Sequence, residues 1–493
     1  MTLDELIGSG PGGRVLPPPG GTPGIGATAI TSVTQRAGDA EPGVLFCAIP
    51  GLRADGHDFA AAAVARGAVA VMVERPLDLP VPQILVADAR LGLALAAAAL
   101  QGHPSRDLAV VGITGTNGKT TSAFLVRAVL EAAGRPCGLV GTIEARVGGR
   151  AVPVHHTTPD AVELQDLFAR MRDAGDTACA MEVSSHALSQ RRVAGTDFAA
   201  ALFTNLTRDH LDYHPTVEHY YEAKRGLFAR PAGEGADPPG AANLDDEFGR
   251  RLASETGALG YAVDAAADVR PDRVSGLETG IRARMVTPRG PVDIASRLRG
   301  RFNLSNLAGV TAVAELLALP HEALVAGIAS VAGVPGRFEA VEAGQPFPVI
   351  VDYAHTPDSL ENVLRAARGI VTGGRLIVVF GCGGDRDRGK RPQMGAVARA
   401  LADVAVVTSD NPRSEDPEAI VAEILVGAGS GPAELLVEVD RRAAIARALA
   451  GAVAGDVVVI AGKGHEQGQE RDGVVTPFDD RDVARETLIG AAA

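Results

Sequence analysis

The chain has 493 residues, of which 46% are hydrophobic, and a formal net charge of −13. A chain of this length exceeds what one hydrophobic core supports, so about two to four domains are expected. The acidic charge argues against nucleic acid as the main partner. No apolar run approaches the roughly 18 residues that would predict a membrane span.

The four cysteines (Cys47, Cys137, Cys179 and Cys382) lie far apart and form no C-x-x-C pair. This spacing is typical of reduced thiols and not of a disulfide framework or a zinc site. Residues 1–30 contain Gly-Pro-Gly-Gly and Pro-Pro-Pro but no apolar segment behind a basic start, so no signal peptide is predicted. We therefore expect a cytoplasmic protein.

Residues 1–29 are rich in Gly and Pro, and we expect them to form a flexible N-terminal segment. In residues 30–105, short apolar runs at 44–49 and 68–73 predict strands. The alanine-rich stretch 93–100 predicts a helix. This part of the chain is therefore expected to fold as a small α/β domain.

Residues 112–121, Gly-Ile-Thr-Gly-Thr-Asn-Gly-Lys-Thr-Thr, follow a short apolar run and precede a predicted helix over 122–133. A strand, a glycine loop, a Lys-Thr pair and a helix form the arrangement that binds a nucleoside triphosphate, because loop N–H groups and the helix N-terminus attract phosphate. Lys119 would reach the outer phosphates and Thr120 would hold Mg²⁺. Ile113 stands where the general pattern has its first Gly, which leaves a chance glycine turn as the alternative.

Other stretches of the predicted central domain, residues 106–335, also carry chemistry-bearing side chains. Glu182 follows small apolar residues, so it is expected near a strand end, where P-loop proteins keep an acid on the Mg²⁺ side. Residues 204–214 hold many metal- and phosphate-binding groups. Lys224 lies in a predicted amphipathic helix over 220–228, and from spacing alone a solvated surface charge is its more common role.

In residues 336–493, four apolar strands each lead into a polar loop; the loops begin at Asp352, Gly381, Ser409 and Gly462. Alternating strands and helices predict a mostly parallel sheet, which binds ligands at the carboxyl ends of its strands. One such loop could be a solvated turn, but four at one edge predict a site. The expected fold class is α/β with three domains: a small N-terminal α/β domain, a central P-loop-type parallel-sheet ATPase domain and a C-terminal Rossmann-like α/β domain.

Together these motifs resemble the Mur ligase family, whose members add amino acids to the UDP-linked peptidoglycan precursor. The resemblance extends from about residue 106 to residue 482, and the family's P-loop departs from the general pattern in the same way as Ile113. The matching motifs are residues 114–121, 156–159, 182–186, 205–210, 301–303, 335–339, 352–357, 410–413 and 462–466.

The resemblance implies an ADP-forming acid–amino-acid ligase that adds diaminopimelate to UDP-N-acetylmuramoyl-L-alanyl-D-glutamate. ATP would phosphorylate the terminal carboxylate, and the incoming amine would attack the acyl phosphate to give an amide. Such an enzyme serves peptidoglycan synthesis, and through it cell shape and division. The implied cofactor is Mg²⁺, with ATP as co-substrate; the expected partners are the two substrates, with no nucleic acid, no membrane insertion and a monomeric state.

The resemblance also implies the roles of individual residues. The catalytic residues would be Lys119, Glu182, His210 and Lys224, and the metal would be bound by Thr120, Glu182, His210 and Lys224, the last as a carbamate (N6-carboxylysine). The implied ATP contacts are Gly115, Thr116, Asn117, Gly118, Lys119, Thr120, Thr121, Asn303, Arg337, Asp352 and His355. The UDP-sugar peptide would contact Thr157, Thr158, Ser184, Gln190 and Arg192, with residues 30–105 as the UDP-sugar-binding domain. The amino-acid pocket would comprise Arg386, Asp410, Asn411, Pro412, Arg413, Gly462 and Glu466.

Arg413 is the residue expected to select the amino acid. A guanidinium fork suits a second carboxylate through paired, charge-assisted hydrogen bonds. This favours diaminopimelate over lysine, whose distal end is a bare ammonium.

One motif departs from the family. Where the family usually has Asp-Ser-Arg in its first domain, this chain has Arg36-Ala37-Gly38, although residues 51–57 nearby do match. Losing the hydroxyl and the guanidinium would cost roughly 1–3 kcal/mol of binding. A related ligase of specialised metabolism with a different carboxylate substrate therefore stays open. A P-loop ATPase without ligase activity is a second, separate alternative.

Overall fold

The computed structural model of the chain describes residues 1–19, 21, 25–51, 54–154, 156–429 and 431–492. In this part of the chain the strands form sheets of five, eight, three, six and two strands. The three largest sheets follow one another along the chain and are covered by helices, which confirms the predicted α/β class. No helix among the described residues is long and apolar enough to cross a membrane.

The first sheet is formed by the N-terminal part of the chain. Its elements are α1 (Leu3–Ser9), β1 (Arg14–Leu16), β2 (Ser32–Thr34), β3 (Val44–Cys47), α2 (Ala60–Ala65), β4 (Ala70–Val73), β5 (Gln83–Leu85) and α3 (Ala89–Leu100). The strand order is β1-β5-β4-β3-β2, with only β1 antiparallel. The helix predicted over 93–100 is the last two thirds of α3, which begins directly after its N-cap residue Asp88.

The N-terminal segment 1–29, predicted to be flexible, differs from that expectation in its described part. Thr2 and Glu5 form a capping box at the start of α1. Leu3 and Leu6 of this helix are completely buried, and β1 pairs with β5. The abundance of Gly and Pro concealed a short capped helix and an edge strand that both belong to the first domain.

The central part of the chain carries the eight-stranded sheet and a separate three-stranded sheet. Its elements are β6 (Ala109–Thr114), α4 (Lys119–Ala132), β7 (Cys137–Val140), β8 (Ala145–Val147), β9 (Arg150–Val152), α5 (Ala161–Asp173), β10 (Ala178–Glu182), α6 (Ser185–Ser189), β11 (Phe198–Phe203), α7 (Val217–Arg225), β12 (Gly240–Asn243), α8 (Glu247–Thr256), β13 (Leu259–Tyr261), β14 (Arg270–Ser275), β15 (Arg282–Val286), β16 (Val292–Ala295), α9 (Arg301–Leu316) and α10 (His321–Ser330).

The eight-stranded sheet has the order β13-β12-β11-β6-β10-β7-β8-β9, and β6 lies between β10 and β11 in parallel register. Its inner strands are continuous apolar runs because both faces are covered. Helices α4, α9 and α10 pack on one face, and α5, α7 and α8 on the other. Helix α4 begins at Lys119, earlier than predicted, directly after Gly118 ends the loop with φ of 85°.

The C-terminal part of the chain forms the six-stranded sheet and a two-stranded hairpin. Its elements are β17 (Glu339–Ala340), β18 (Val349–Asp352), α11 (Pro357–Arg368), β19 (Leu376–Phe380), α12 (Lys390–Leu401), β20 (Val404–Val407), α13 (Pro417–Ala428), β21 (Glu434–Val437), α14 (Arg441–Ala450), β22 (Val457–Ala461), β23 (Gly468–Arg471), β24 (Val474–Pro477) and α15 (Asp480–Ala492).

The six-stranded sheet has the order β17-β18-β22-β19-β20-β21, with only β17 antiparallel. The four strands that precede the predicted polar loops, β18, β22, β19 and β20, are therefore neighbours. Their carboxyl ends lie along one edge, as expected for a parallel sheet. The β23–β24 hairpin lies beside the loop after β20, where the Arg413 N–H donates to the Glu470 carbonyl at 3.0 Å.

A buried ion pair in the C-terminal domain links two of these loops. Arg441, at the start of α14, donates to both carboxylate oxygens of Asp480 at 2.8 and 2.7 Å. It also donates to the carbonyls of Ser409 and Ala461 at 3.2 and 2.9 Å, which lie just after β20 and at the end of β22. Both charged side chains are completely buried. The pair thus fixes two of the loops that form the predicted pocket.

Replacing Arg441 by Leu should destabilise the protein by about 3–5 kcal/mol, because the Asp480 carboxylate would remain buried without its partner. Urea denaturation measures this loss. The matched control is Arg442→Leu, which removes a neighbouring arginine that is 56% exposed. The control should cost less than about 1 kcal/mol. Equal losses in both variants would contradict the structural role of the pair.

Candidate active site

The loop between β6 and α4 folds around its own lysine. The Lys119 Nζ donates to the carbonyls of Gly115 and Thr116 at 2.8 and 2.7 Å. Gly115 has φ of 146°, and a Cβ at this position would overlap the Thr204 hydroxyl. Only glycine fits here without strain. Burial within the loop lowers the pKa of the Lys119 amine.

A carboxylate and two hydroxyls meet beside this loop. Glu182, at the end of β10, accepts hydrogen bonds from the hydroxyls of Thr120 and Thr142 at 3.0 and 3.1 Å. Thr120 in turn accepts a hydrogen bond from Arg337 Nη2 at 2.9 Å. Glu182 and Thr120 were both predicted to bind the metal. Thr142 was not predicted, because it lies in a turn with no recognisable motif.

Lys224 reaches the same loop from the last turn of α7. It is 1% exposed, and its Nζ donates to the Gly115 carbonyl at 2.8 Å. Burial and the nearby charge of Lys119 hold the pKa of the Lys224 amine well below its ordinary value. The surface-charge alternative for Lys224 is therefore wrong, because this side chain is enclosed at the phosphate-binding loop.

His210 and Lys224 line the same cavity. Desolvation lowers the pKa of the His210 imidazole below the ordinary value, although the nearby Asp209 carboxylate opposes this. The ring is therefore neutral near neutral pH, with one nitrogen able to accept a proton or bind a metal. Its backbone has φ of 54°, which is uncommon for a residue other than glycine.

Three cavities surround these groups. The first, of about 360 Å³, lies between the central and C-terminal parts of the chain. Of the predicted ATP contacts it is lined by Asn117, Gly118, Thr120, Thr121, Arg337 and Asp352; lining residues that were not predicted include Asn243, Asp245, Asp246, Asn306, Asp358 and Asn362. Asn303 does not line this cavity but accepts a hydrogen bond from Asn306 at 3.0 Å from behind.

The second cavity, of about 330 Å³, contains the phosphate-loop lysine and all four residues predicted to bind metal. Its lining includes Lys119, Thr120, Glu182, His210 and Lys224, together with Thr157, Thr158, Ser184 and Arg192 from the predicted UDP-sugar-peptide set. Gln190 lies outside the lining; its Oε1 accepts hydrogen bonds from Arg192 at 3.1 and 2.8 Å, so it orients that arginine.

The third cavity, of about 190 Å³, lies at the carboxyl ends of the C-terminal strands. From the predicted amino-acid pocket it is lined by Arg386, Asp410, Asn411, Arg413, Gly462 and Glu466; Pro412 is not among the lining residues. Lys463, which was not predicted, is buried behind Asn411 and Glu466 and donates to them at 2.9 and 3.1 Å. The sequence signal that could have identified Lys463 is its position between two predicted pocket residues, Gly462 and Glu466.

The second and third cavities share part of their walls, namely Asp209, His210, Tyr353, His355 and Arg386. The cavities that contain Lys119 and Arg413 are therefore adjacent. Asp209 is only 6% exposed and lies 3.4 Å from the His210 ring and 3.9 Å from the His355 ring. It belongs to the stretch 204–214, whose polar composition had already indicated a site.

The departure at Arg36-Ala37-Gly38 forms a short 3₁₀ turn over Ala37–Asp39. The Arg36 side chain is 71% exposed and lies 3.9 Å from Asp160, and the Gly38 carbonyl accepts a hydrogen bond from Arg66 at 2.7 Å. The turn supplies neither a hydroxyl nor a guanidinium at positions 37 and 38. Leu52 and Arg53, in the neighbouring stretch that matches the family, lie outside the described residues.

Asp352, at the end of β18, is 6% exposed and accepts a hydrogen bond from the Phe338 N–H at 2.6 Å. Burial raises the pKa of its carboxyl to about 6, although nearby Arg337 opposes the rise. The folded protein therefore holds a carboxylate whose ionisation costs stability at neutral pH.

Comparisons with known proteins agree with this architecture. Three family models match in order: "Mur ligase family, catalytic domain" over residues 29–109, "Mur ligase middle domain" over 113–314 and "Mur ligase, glutamate ligase domain" over 336–464. The chain belongs to the Mur ligase family, as its motifs predicted. Mur ligases are ATP-dependent enzymes that form amide bonds.

Several similar relatives carry one name. A UDP-N-acetylmuramoyl-L-alanyl-D-glutamate–2,6-diaminopimelate ligase of Solibacter usitatus is 46% identical over 496 residues, covering 99% of each chain. The ligase of the same name from Streptomyces coelicolor is 47% identical and covers 94% of this chain and 93% of its own. A solved structure with that name superposes with a TM-score of 0.66 at 33% identity, covering 94% of this chain and 96% of that one.

Replacing Asp352 by Asn removes a carboxyl whose pKa is 3.8 in the unfolded chain and about 6 in the folded one. The folded state binds this proton more tightly, so the stability that it contributes falls as pH rises through about 4 to 6. Between about pH 5 and pH 8 the wild type should lose about 1–1.5 kcal/mol more than Asp352→Asn. Urea denaturation of both proteins at both pH values measures this, and equal pH dependence would contradict it.

Proposed function

We propose that this chain adds 2,6-diaminopimelate to UDP-N-acetylmuramoyl-L-alanyl-D-glutamate at the expense of ATP, as a step of peptidoglycan synthesis. One observation carries the proposal: the cavity that contains Lys119 adjoins the cavity of Arg413, and the two have five lining residues in common. A ligase needs its phosphoryl donor and its amine on the same side of one carboxylate. The name carried by relatives that are 43–47% identical supports the same substrates.

The proposed reaction has two chemical steps, phosphoryl transfer and amide formation. The terminal carboxylate of the UDP-sugar dipeptide attacks the γ-phosphorus of ATP, and the P–O bond to ADP breaks. The amine of diaminopimelate then attacks the acyl carbon of the resulting acyl phosphate, loses a proton and expels phosphate. In this scheme Lys119 stabilises the transferring phosphoryl group, as preorganised positive charge does in phosphoryl transfer. Thr157, Thr158, Ser184 and Arg192 orient the dipeptide from the wall of the same cavity, while Gln190 holds Arg192.

The residues present fit Mg²⁺. The Thr120 hydroxyl and the Glu182 carboxylate are in contact at 3.0 Å, and His210 supplies a neutral imidazole. In the part of the chain that the structure describes, no group of three or more His, Cys, Asp and Glu could hold a metal ion on its own. This agrees with Mg²⁺, which takes few protein ligands and fills its shell with phosphate oxygens and water. When bound, Mg²⁺ would spread the negative charge of the phosphates.

The environment of Lys224 suits a lysine whose amine is converted to a carbamate. An amine whose pKa is depressed by burial is partly uncharged and can attack carbon dioxide, and loss of a proton then leaves a carbamate anion. The ammonium form would place a second cation beside Lys119, whereas the carbamate would place an anion where Mg²⁺ is expected. Thr120, Glu182, His210 and carbamylated Lys224 thus form the proposed metal site.

The amino-acid pocket has the charges that diaminopimelate requires. Arg386 and Arg413 offer guanidinium groups to its carboxylates, and Asp410 and Glu466 offer carboxylates to its ammonium groups. Asn411 donates to Glu466 at 2.8 Å and thereby fixes that carboxylate. The nucleotide would occupy the first cavity, between Asn117 of the loop and Asp352 of the C-terminal domain. The proposed enzyme is a cytoplasmic monomer without a nucleic-acid partner.

The proposal is tested by offering a panel of amino acids with UDP-N-acetylmuramoyl-L-alanyl-D-glutamate and ATP and measuring ADP formation. Diaminopimelate should support turnover, and lysine should support it poorly. ATP hydrolysis without either substrate would instead favour the bare ATPase. Failure of the UDP-sugar dipeptide to bind in calorimetry would favour a ligase of specialised metabolism.

Replacing Arg413 by Ala should lower kcat/KM for diaminopimelate by about 10²-fold, because a charge-assisted bidentate contact to the distal carboxylate is lost. Arg413→Lys keeps the positive charge but not the planar guanidinium, and it should lower kcat/KM for diaminopimelate about tenfold. Arg471→Ala, which removes a 67% exposed arginine of the adjoining hairpin, is the matched control. Steady-state kinetics with varied diaminopimelate measure these effects, and unchanged kinetics in Arg413→Ala would refute the assignment.

Activity should depend on carbon dioxide through Lys224. Enzyme stripped of carbon dioxide at mildly acidic pH should be slow in carbon-dioxide-free buffer, and bicarbonate should restore its rate. Lys224→Arg cannot form the carbamate and should lose at least about 10²-fold in kcat, as removal of one preorganised charge commonly costs. Its residual rate should not respond to bicarbonate. A wild-type rate that is indifferent to carbon dioxide removal would exclude the carbamate.

A further inference from the structure

Arg413 is held in place by contacts outside the pocket that it serves. Its backbone has φ of 51°, an uncommon conformation for arginine that persists only where neighbours enforce it. The β23–β24 hairpin does so, because the Arg413 N–H donates to the Glu470 carbonyl at 3.0 Å and its carbonyl accepts from the Asp472 N–H at 2.8 Å. The hairpin therefore extends alongside the loop like an added strand.

The guanidinium of Arg413 has two fixed anchors. Nη1 donates to the Gly384 carbonyl at 2.8 Å, and Nε donates to the Glu470 carboxylate at 3.1 Å. These contacts engage Nε and one N–H of Nη1, so they restrict the orientation of the planar group and leave Nη2 and the second N–H of Nη1 for a ligand. The Glu470 N–H also donates to the Asn411 side chain at 3.0 Å, which ties the anchor to a second residue of the pocket.

Glu470 itself lies behind Arg413. Arg413 lines the amino-acid cavity, whereas Glu470 is not among its lining residues. Five carboxylates line this cavity (Asp209, Asp212, Asp387, Asp410 and Glu466), and Asp410 and Glu466 of the strand-end loops would compete for a loosely held arginine. A guanidinium released from Glu470 could turn toward them and cancel the charge needed for the substrate.

We propose that Glu470 is a positioning residue that sets the selectivity of this ligase for an amino acid with a distal carboxylate. It acts through Arg413, keeping the guanidinium fork directed into the cavity and away from Asp410 and Glu466. The inference rests on the proposed function, because it takes the amino-acid pocket to be the diaminopimelate site. Glu470 makes no contact with the reacting atoms and has no part in phosphoryl transfer.

Two variants test this role by kinetics. Glu470→Ala removes the acceptor and should raise KM for diaminopimelate about five- to tenfold while kcat stays within about twofold. Glu470→Gln keeps an acceptor oxygen for Nε and should raise KM only about two- to threefold. KM values for ATP and for the UDP-sugar dipeptide should not change in either variant, which shows that both remain folded.

The matched control is Asp472→Asn, which removes a negative charge from the same hairpin at a 75% exposed side chain without touching the Arg413 guanidinium. Its kinetics should equal those of the wild type. A double-mutant cycle adds a second readout: in the Arg413→Ala background, Glu470→Ala should have no further effect on KM, because the residue through which it acts is absent.

Several results would overturn the inference. A lowered KM in Glu470→Ala would show that this carboxylate repels or competes with the substrate. An unchanged KM, a loss confined to kcat, or an equal loss in the Arg413→Ala background would each remove the positioning role. If the wild-type enzyme rejects diaminopimelate, the proposed function fails and this inference fails with it. Wild-type turnover with unaffected variants would overturn the role of Glu470 alone.

Discussion

The hydrogen bond from Arg337 to the Thr120 hydroxyl, 2.9 Å long, joins the C-terminal domain to the phosphate-binding loop, and the rest of the site depends on this junction. Asn117 of the same loop donates to Asp358 at 2.8 Å and Arg208 donates to Asp387 at 3.3 Å, so several contacts hold the two domains together. The cavities that contain Lys119 and Arg413, at the carboxyl ends of the two parallel sheets, are thereby held next to each other. Neither sheet alone could bring a triphosphate and an amino acid to one carboxylate.

Burial gives the central residues their chemistry. Lys224, His210 and Asp352 would be ordinary charged or titrating groups in water, but here their pKa values are displaced toward the neutral forms because charge is costly in a poorly solvated interior. An uncharged amine and an uncharged imidazole beside a carboxylate suit metal binding and carbamate formation better than two cations would. The cost of burying these groups is offset by the large apolar cores of both sheets.

The pocket at the C-terminal strands depends on a second layer of polar contacts. Lys463 is buried and donates to Asn411 and Glu466, while Arg441 joins the loop after β20 to the end of β22. Lys463 balances the charge of Glu466, and the two cations together keep the loops after β20 and β22 in fixed relation. Side chains that do not face the pocket thus determine the orientation of the side chains that do.

The amino-acid sequence by itself determined the α/β class, the phosphate-binding loop, the family and most of the residues that line the cavities, because apolar runs and glycine loops are local patterns and parallel strands bring their loops to one edge. Only the tertiary structure decided that Asn306 faces the first cavity with Asn303 behind it, that Gln190 holds Arg192, and that Glu470 holds Arg413. It also showed that the N-terminal segment packs as a capped helix and an edge strand. Which side chains face a cavity depends on contacts with residues distant in sequence, and a local sequence pattern does not contain that information.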